Sequence, residues 1–355
     1  MKKIIAFILI INIHTSYSQI VLESDGPGNT YELINSVLAP GYNVIEVPDC
    51  AHATPSVEHI DEVFDTELNT NVFRFIAHKT PDNDRCQYFD RQRTEIKTYD
   101  KSPDNLLATI GETVIYKWKF KISSDFQPSS RFTHVHQIKS VGGSYASTPM
   151  VTLTLRKSTP DILELRYTST NDQNTLKTAD LDLFRGNWVS VIETITYSDT
   201  GSYAIEIKNI SNNETIFNYT DSSLDAWQDG AEFARPKWGI YRSLISASDL
   251  KDEAVLFADF SIEEVTGSLL IDDLKQRAEN ILLYPNPSSK EVNFKNANSD
   301  NYDSLEIYDY SGRKISKDKI LNNNKLDVSS FSKGLYFIVF KKNTITTKIL
   351  KFFVK

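Results

Sequence analysis

Beyond its first residues the chain has no apolar run long enough to cross a bilayer, which takes about 20 residues. No membrane-spanning helix is therefore expected beyond those residues. Basic charge is also short: 39 Lys and Arg stand against 47 Asp and Glu, a formal net charge of −8. General nucleic-acid binding, which wants a basic domain, is excluded; a local basic groove is not, since net charge speaks to solubility rather than to a site. Helical stretches of about ten or more residues between strands, as a doubly wound α/β fold requires, are missing. Glycine is scarce, with 13 residues against 17 Tyr and 19 Phe, and Thr and Val are plentiful, which favours strands over helices.

What is present begins at the N-terminus. Met1-Lys2-Lys3 precedes an apolar run from Ile4 to Ile13, and small residues follow at Ser16 and Ser18. A charged start, a short apolar stretch and a cleavage site predict a signal peptide over residues 1–18. The run of about ten residues is too short for an anchor. The mature protein is expected to be secreted and extracellular. Export makes a disulfide between Cys50 and Cys86, the only two cysteines, the expectation over two free thiols. Such a bridge would contribute about 3–4 kcal/mol in the chain-entropy model.

Leu33 to Leu38 reads as a short helical turn and Tyr42 to Val47 as a first strand. From Phe73 onward short alternating runs are punctuated by Gly, Pro, Asn, Asp and Ser. They fall at Thr113–Ile122, Thr133–Lys139, Met150–Arg156, Ile162–Thr168, Trp188–Thr196, Tyr203–Lys208, Thr215–Tyr219 and Val255–Glu264. Many strands at regular spacing predict an all-β sandwich or jelly roll over residues 19–266. The clearest hairpin runs from Trp188 to Lys208 about the turn Ser198-Asp199-Thr200-Gly201. A Trp entering a strand, a Gly-containing turn and an alternating return strand resemble the concanavalin-like jelly rolls of glycan-active proteins.

Residues 267–280 read as a linker, and residues 281–355 as a small C-terminal β-sandwich of a size that suits a domain. This tail resembles the C-terminal sorting domain of the type IX secretion system. The matching residues are Tyr284-Pro285-Asn286-Pro287, Leu305-Glu306-Ile307-Tyr308-Asp309 with Ser311-Gly312-Arg313, Gly334-Leu335-Tyr336-Phe337-Ile338-Val339, and the basic end Lys348 to Lys355. The resemblance implies handling by the type IX machinery and removal of the tail after export. The alternative, an accessory glycan-binding module, lacks aromatics suited to a sugar platform.

Three segments offer chemistry. In Asp90 to Lys97, period two puts Arg91, Arg93, Glu95 and Lys97 on one strand face. Repeated cations suit carboxylate or sulfate, and Glu95 can hold its neighbours in place; a solvated edge of mixed charge is the plainer alternative. In Phe132 to Lys139, Val135, Gln137 and Lys139 share one face while His134 and His136 share the other. Two imidazoles at that spacing can share a metal ion, but no third ligand lies nearby in sequence, so no metal site is assigned. In Arg235 to Arg242, Lys237, Gly239 and Tyr241 share one face, with Trp238, Ile240 and Arg242 opposite. Gly239 leaves room for a substrate, and a Tyr beside cations is expected to have a lowered pKa.

Together these segments resemble the alginate-lyase-like jelly-roll polysaccharide lyases, whose Arg-Thr/Ser-Glu, Gln-Ile-His and Lys-x-Gly-x-Tyr strands face one groove. Here they read Arg93-Thr94-Glu95, Gln137-Ile138-Lys139 and Lys237-Trp238-Gly239-Ile240-Tyr241. The resemblance implies that Arg93 and Gln137 bind the C5 carboxylate of a uronate and that Tyr241 is the acid, and also the base in a syn elimination. Lys139 replaces the usual His, which leaves His136 or His134 as the other base, if the strand twists or bulges. The layout looks most like the small ulvan lyases of marine Bacteroidetes, or the glucuronan lyases. Extra cations, Arg91, Lys97, Lys139 and Arg242, with Lys237 beside them, would suit the sulfate of an acidic polysaccharide substrate. No cofactor is required; a structural calcium ion is the one addition this reading admits. The alternatives are a non-catalytic glycan-binding jelly roll and an alginate lyase. A laminarinase-type hydrolase needs two close carboxylates, commonly from a Glu-x-Asp-x-x-Glu strand that is not found.

Overall fold

The computed structural model describes residues 19–52, 57–265, 282–295, 304–309, 313–318, 325–342 and 345–355. The expected signal peptide and linker lie outside these residues. In chain order the first strands are β1 Ile20–Leu22, β2 Ile45–Glu46, β3 Ile60–Asp65, β4 Thr70–Ala77 and β5 Arg91–Lys97. Then come β6 Thr113–Ile122, β7 Thr133–Gly142, β8 Val151–Arg156, β9 Ile162–Tyr167 and β10 Asn174–Asp180. β11 Val189–Thr196, β12 Gly201–Asn209, β13 Thr215–Leu224, β14 Ala231–Ser243 and β15 Glu253–Val265 complete the set. One helix, α1 Thr30–Leu38, precedes β2. It turns Ile34 and Leu38 inward, four residues apart on one face, and stops before Pro40.

These strands form the expected jelly-roll sandwich. One sheet has the order β13-β12-β11-β6-β15-β4-β3, with β1 also on β15; the other runs β10-β9-β8-β7-β14-β5-β2. The sequence pattern explains the layering. In β6, Val114, Tyr116, Trp118, Phe120 and Ile122 are buried while the residues between them are half exposed, the signature of one face on a core and one toward water. From the opposite sheet Trp238 meets Trp118 at 5.9 Å and Phe260 at 5.1 Å between ring centroids. Full burial of such a side chain contributes roughly 1.5–3 kcal/mol, so these rings fix which face of β14 looks inward. The Trp188 hairpin forms as read, pairing Val189 with Asn209 through Thr196 with Ser202. β3 and β10 were not anticipated, and the strand expected at Tyr42–Val47 is only two residues long.

The chain divides into two compact units at Glu264–Val265. The second contains β16 Leu282–Tyr284, β17 Glu291–Lys295, β18 Ser304–Asp309, β19 Lys314–Asp318, β20 Lys325–Asp327, β21 Gly334–Lys342 and β22 Ile345–Val354. These make a three-stranded and a four-stranded sheet, β16-β17-β20 and β19-β18-β21-β22. Val292, Phe294, Leu305, Ile307, Ile338 and Phe340 are buried between them.

Candidate active site

The three chemical segments become neighbours in one sheet. β14 pairs with β5 so that Tyr241 stands opposite Arg93, Gly239 opposite Glu95 and Lys237 opposite Lys97. On its other side β14 pairs with β7, bringing Lys237 beside Gln137 and Tyr241 beside His134. Since Trp238 and Ile240 face the core, Lys237, Gly239 and Tyr241 face outward, and the outer face of this sheet is the candidate site. The alternation read for β5 and β14 holds.

The alternation read for β7 does not. His134 pairs with Thr154 and His136 with the very next residue back, Leu153, so Val135 is an extra residue, a β-bulge. Val135 and His136 are both buried. His136 hydrogen-bonds Glu193 of the opposite sheet at 2.8 Å, packed between Trp118 and Trp238. His134 and His136 therefore do not share a face, and the two cannot bind one ion. His134 lies outward with Gln137, its Nδ1 2.8 Å from Thr154 Oγ1 and its ring 5.8 Å from that of Tyr241. Burial lowers its pKa to about 3, so the imidazole is neutral.

Tyr241 is embraced by cations. Arg91 Nη1 donates to its hydroxyl at 3.0 Å, and the Arg93 guanidinium lies 3.8 Å from the ring centroid. Burial nonetheless raises its pKa, outweighing Arg93 and Arg91; the lowered value expected from the sequence is corrected. The phenol keeps its proton at neutral pH. Gly239 is also explained differently: a Cβ there would come within 2.0 Å of the Thr94 carbonyl oxygen, and φ is +144°. The close approach of β5 requires glycine, independently of any substrate.

Several candidate cations are matched by carboxylates. Glu46, from the two-residue edge strand β2, had not been singled out. It receives hydrogen bonds from Lys97 at 2.8 Å, Arg85 at 2.9 Å and Lys237. Lys237 also lies 2.9 Å from Glu95, and Arg93 binds both Glu95 and, at 2.9 Å, Asp84. Burial alone would raise the Glu46 pKa, but Lys237, Lys97 and Arg93 hold it well below the usual carboxylate range. Gln137 donates to Glu95. Arg242 is a second correction: it is fully buried on the inner face, giving hydrogen bonds to Gln92 Oε1 at 2.6 Å and the Ala77 carbonyl at 3.1 Å, and cannot bind substrate.

Lys139 and Arg235 differ. Their hydrogen bonds go to carbonyl oxygens, Lys139 to Ser147 at 3.1 Å and Arg235 to Thr98 at 3.1 Å. Burial and the surrounding cations lower Lys139 to about 8.

Residues 61–263, more than half of the chain, match the family model described as polysaccharide lyase. The chain belongs to the polysaccharide lyase family. It is thus a lyase enzyme, and residues 282–355 match the secretion system C-terminal sorting domain, so the lyase is secreted. Among solved structures, the endo-β-1,4-glucuronan lyase of the fungus Trichoderma reesei is 16% identical over 57% of this chain and 86% of its own, with a TM-score of 0.43. The alginate lyase of Aplysia kurodai is 14% identical over 69% and 99%, TM-score 0.47. Alginate lyase PA1167 of Pseudomonas aeruginosa is 15% identical over 62% and 97%, TM-score 0.42. No curated protein matches the lyase.

Two further features of the lyase bear on the site. Cys50 and Cys86 form the expected disulfide, tying the segment after β2 to the loop before β5. Behind that loop, His52, His59 and His78 gather around Asp82, with atoms that could hold a metal ion. They are scattered over 31 positions (from 52 to 82), which hid them from a search by local spacing.

Proposed function

We propose that the lyase cleaves a uronate-containing acidic polysaccharide by β-elimination, ulvan first and glucuronan next, leaving unsaturated uronate ends. The observation that carries this is the meeting of Tyr241, Arg91, Arg93, Gln137 and a neutral His134 on one sheet face. Elimination removes the proton α to the carboxylate at C5, forms the C4–C5 double bond and expels the C4 oxygen. Tyr241, protonated and solvated on one side, would give its proton to that leaving oxygen. His134, donating Nδ1–H to Thr154, would present the Nε2 lone pair to the C5 proton. Gln137 and the Nη2 edge of Arg93, which makes no hydrogen bond among the described residues, would bind the carboxylate and stabilise the charge that develops on it. Tyr241 taking both steps is the alternative.

Support for a sulfated glycan comes from Lys139 and Arg235, which form no ion pair with a carboxylate among the described residues and flank Gln137 and Lys237 on the same sheet face. Calcium or another cofactor has no step in this chemistry. Residues 1–18 would be removed during export and the sorting tail after it. Ultraviolet absorbance of the unsaturated product, measured on ulvan, glucuronan, alginate and heparin, tests the assignment. Ulvan or glucuronan giving the fastest rise is expected; alginate alone giving one would overturn the choice of sugar, and no rise on any would overturn the roles given to Tyr241 and His134.

A further inference from the structure

Of the five histidines beyond residue 18, three meet at a single point. His52 follows the turn Asp49–Ala51, His59 precedes β3, His78 follows β4, and Asp82 lies in the loop to β5. Their ring centroids are 4.9, 5.1 and 5.3 Å apart in pairs. Their ligand-capable atoms all lie within 4.8 Å of one another.

The contacts inside this cluster do not satisfy it. His52 Nε2 and His59 Nε2 converge on the same carboxylate oxygen, Asp82 Oδ1, at 2.5 and 3.1 Å. His78 Nδ1 is buried with no hydrogen-bond partner, 3.4 Å from Asp82 Oδ2. A buried polar atom left in this way is costly and calls for an explanation. One cation at the centre would take up all three nitrogens and the carboxylate at once.

A supporting shell is already built. Asp49 Oδ1 lies 2.6 Å from His59 Nδ1, the carboxylate–histidine arrangement that turns the other ring nitrogen, with its lone pair, toward a metal. Tyr31 donates to Asp49 Oδ2 at 2.9 Å and accepts the His59 backbone N–H at 3.0 Å. The His78 backbone N–H donates to Asp82 Oδ2 at 2.7 Å. Asp82 and His59 have no exposed side-chain surface.

We propose that His52 Nε2, His59 Nε2, His78 Nδ1 and Asp82 bind a zinc ion. Three imidazoles and one carboxylate suit a borderline-soft, four-coordinate ion; calcium wants six to eight oxygen ligands. Four protein ligands leave no open position, so the ion is structural. It clamps the loops on either side of the Cys50–Cys86 bridge. Asp82 is two residues from Asp84, the partner of Arg93, and Gln92 donates to the carbonyls of His78 and Asp82. The zinc therefore steadies the Glu46 side of the site from behind.

The test uses the untagged full chain, purified without chelator. Elemental analysis should find one zinc per chain, and cobalt put in its place should show the visible absorption of a four-coordinate ion. His52 is partly exposed, so His52→Ala should fold, as circular dichroism will check, while binding zinc at least ~10-fold more weakly; Asp82→Asn provides a second variant. Removal of zinc should lower the melting temperature, and its return should restore it. Wild-type protein that neither carries zinc nor takes it from a chromophoric chelator overturns the proposal. So does a folded His52→Ala protein with unchanged zinc affinity, or wild type that holds calcium in the metal's place. None of these readouts depends on lyase activity.

Discussion

Two sets of residues on the outer sheet face are built alike and behave differently. Around Glu46, the cations Arg85, Arg93, Lys97 and Lys237 are met by Glu46, Glu95 and Asp84. Tyr241 and His134 toward one end of the strands, and Lys139 and Arg235 toward the other, touch hydroxyls, carbonyls or a cation instead. A cation on a strand face is thus no guide to function by itself. What matters is whether a carboxylate already holds it: the first set is a frame, the second is available to a polyanion.

The largest effect that tests this contrast is on stability. Glu46→Ala should strip Lys97 of its carboxylate and leave Lys237 with Glu95 alone in a buried charge network, and destabilise the fold by about 3–5 kcal/mol, read from urea unfolding. A loss within ~0.5 kcal/mol, ordinary for a surface site, would mean the cluster around Glu46 is not a frame. Tyr241→Phe, in the second set, should leave unfolding unchanged and lower turnover about 100-fold, near 2.7 kcal/mol of barrier. The same set fixes the pH response of the base. Because the His134 pKa falls to about 3, its neutral form persists through mildly acidic pH, and no loss of rate due to its protonation should occur near the ordinary histidine value of about 6.5. A rate that halves there in wild type but not in His134→Gln would contradict the burial assigned to it.

A smaller effect concerns Lys139. Its lowered pKa, about 8, means that its charge is present below that value and lost as pH rises through it. Affinity for an acidic glycan should weaken about fivefold across this range, the worth of one partly exposed ion pair at ~1 kcal/mol. Lys139→Arg should abolish the dependence, and an unaltered profile would remove Lys139 from the glycan surface. The smallest expected change is none: a chain ending near Val265 should keep its turnover, whereas loss of folding on that truncation would make the tail part of the catalytic unit.

Much of the architecture was legible because alternation reports burial directly. Val114 to Ile122 buries every second residue, and the strand read there matches β6. On β5 and β14, period two put Arg93, Glu95, Lys237 and Tyr241 on one face, as the registers require. Where reading failed, a non-local fact decided. The bulge at Val135 depends on how β7 lies against β8, so Val135 was given the face of Gln137 and His134 the face of His136, and neither lies there. Arg242 was already read on the face opposite Tyr241; its substrate role failed because Gln92 and the Ala77 carbonyl hold it in the interior. Glu46 belongs to a strand too short to carry a period, and its importance comes from four cations distant in sequence. The lowered pKa expected for Tyr241 weighed its charged neighbours but not its burial.

The bulge in β7 can be regarded as a change of phase. Up to His134 the strand's odd–even alternation presents one set of side chains to solvent; beyond Val135 the parity is reversed, and Gln137 takes the outward place. One ten-residue segment thereby serves the interior and the exterior in two different registers. Its faces are set by the number of residues as much as by their kind: deleting Val135 would leave plain alternation, with His134 still outward, His136 inward and Gln137 outward, whereas the same deletion at an unbulged position would carry one side of the strand across the sheet.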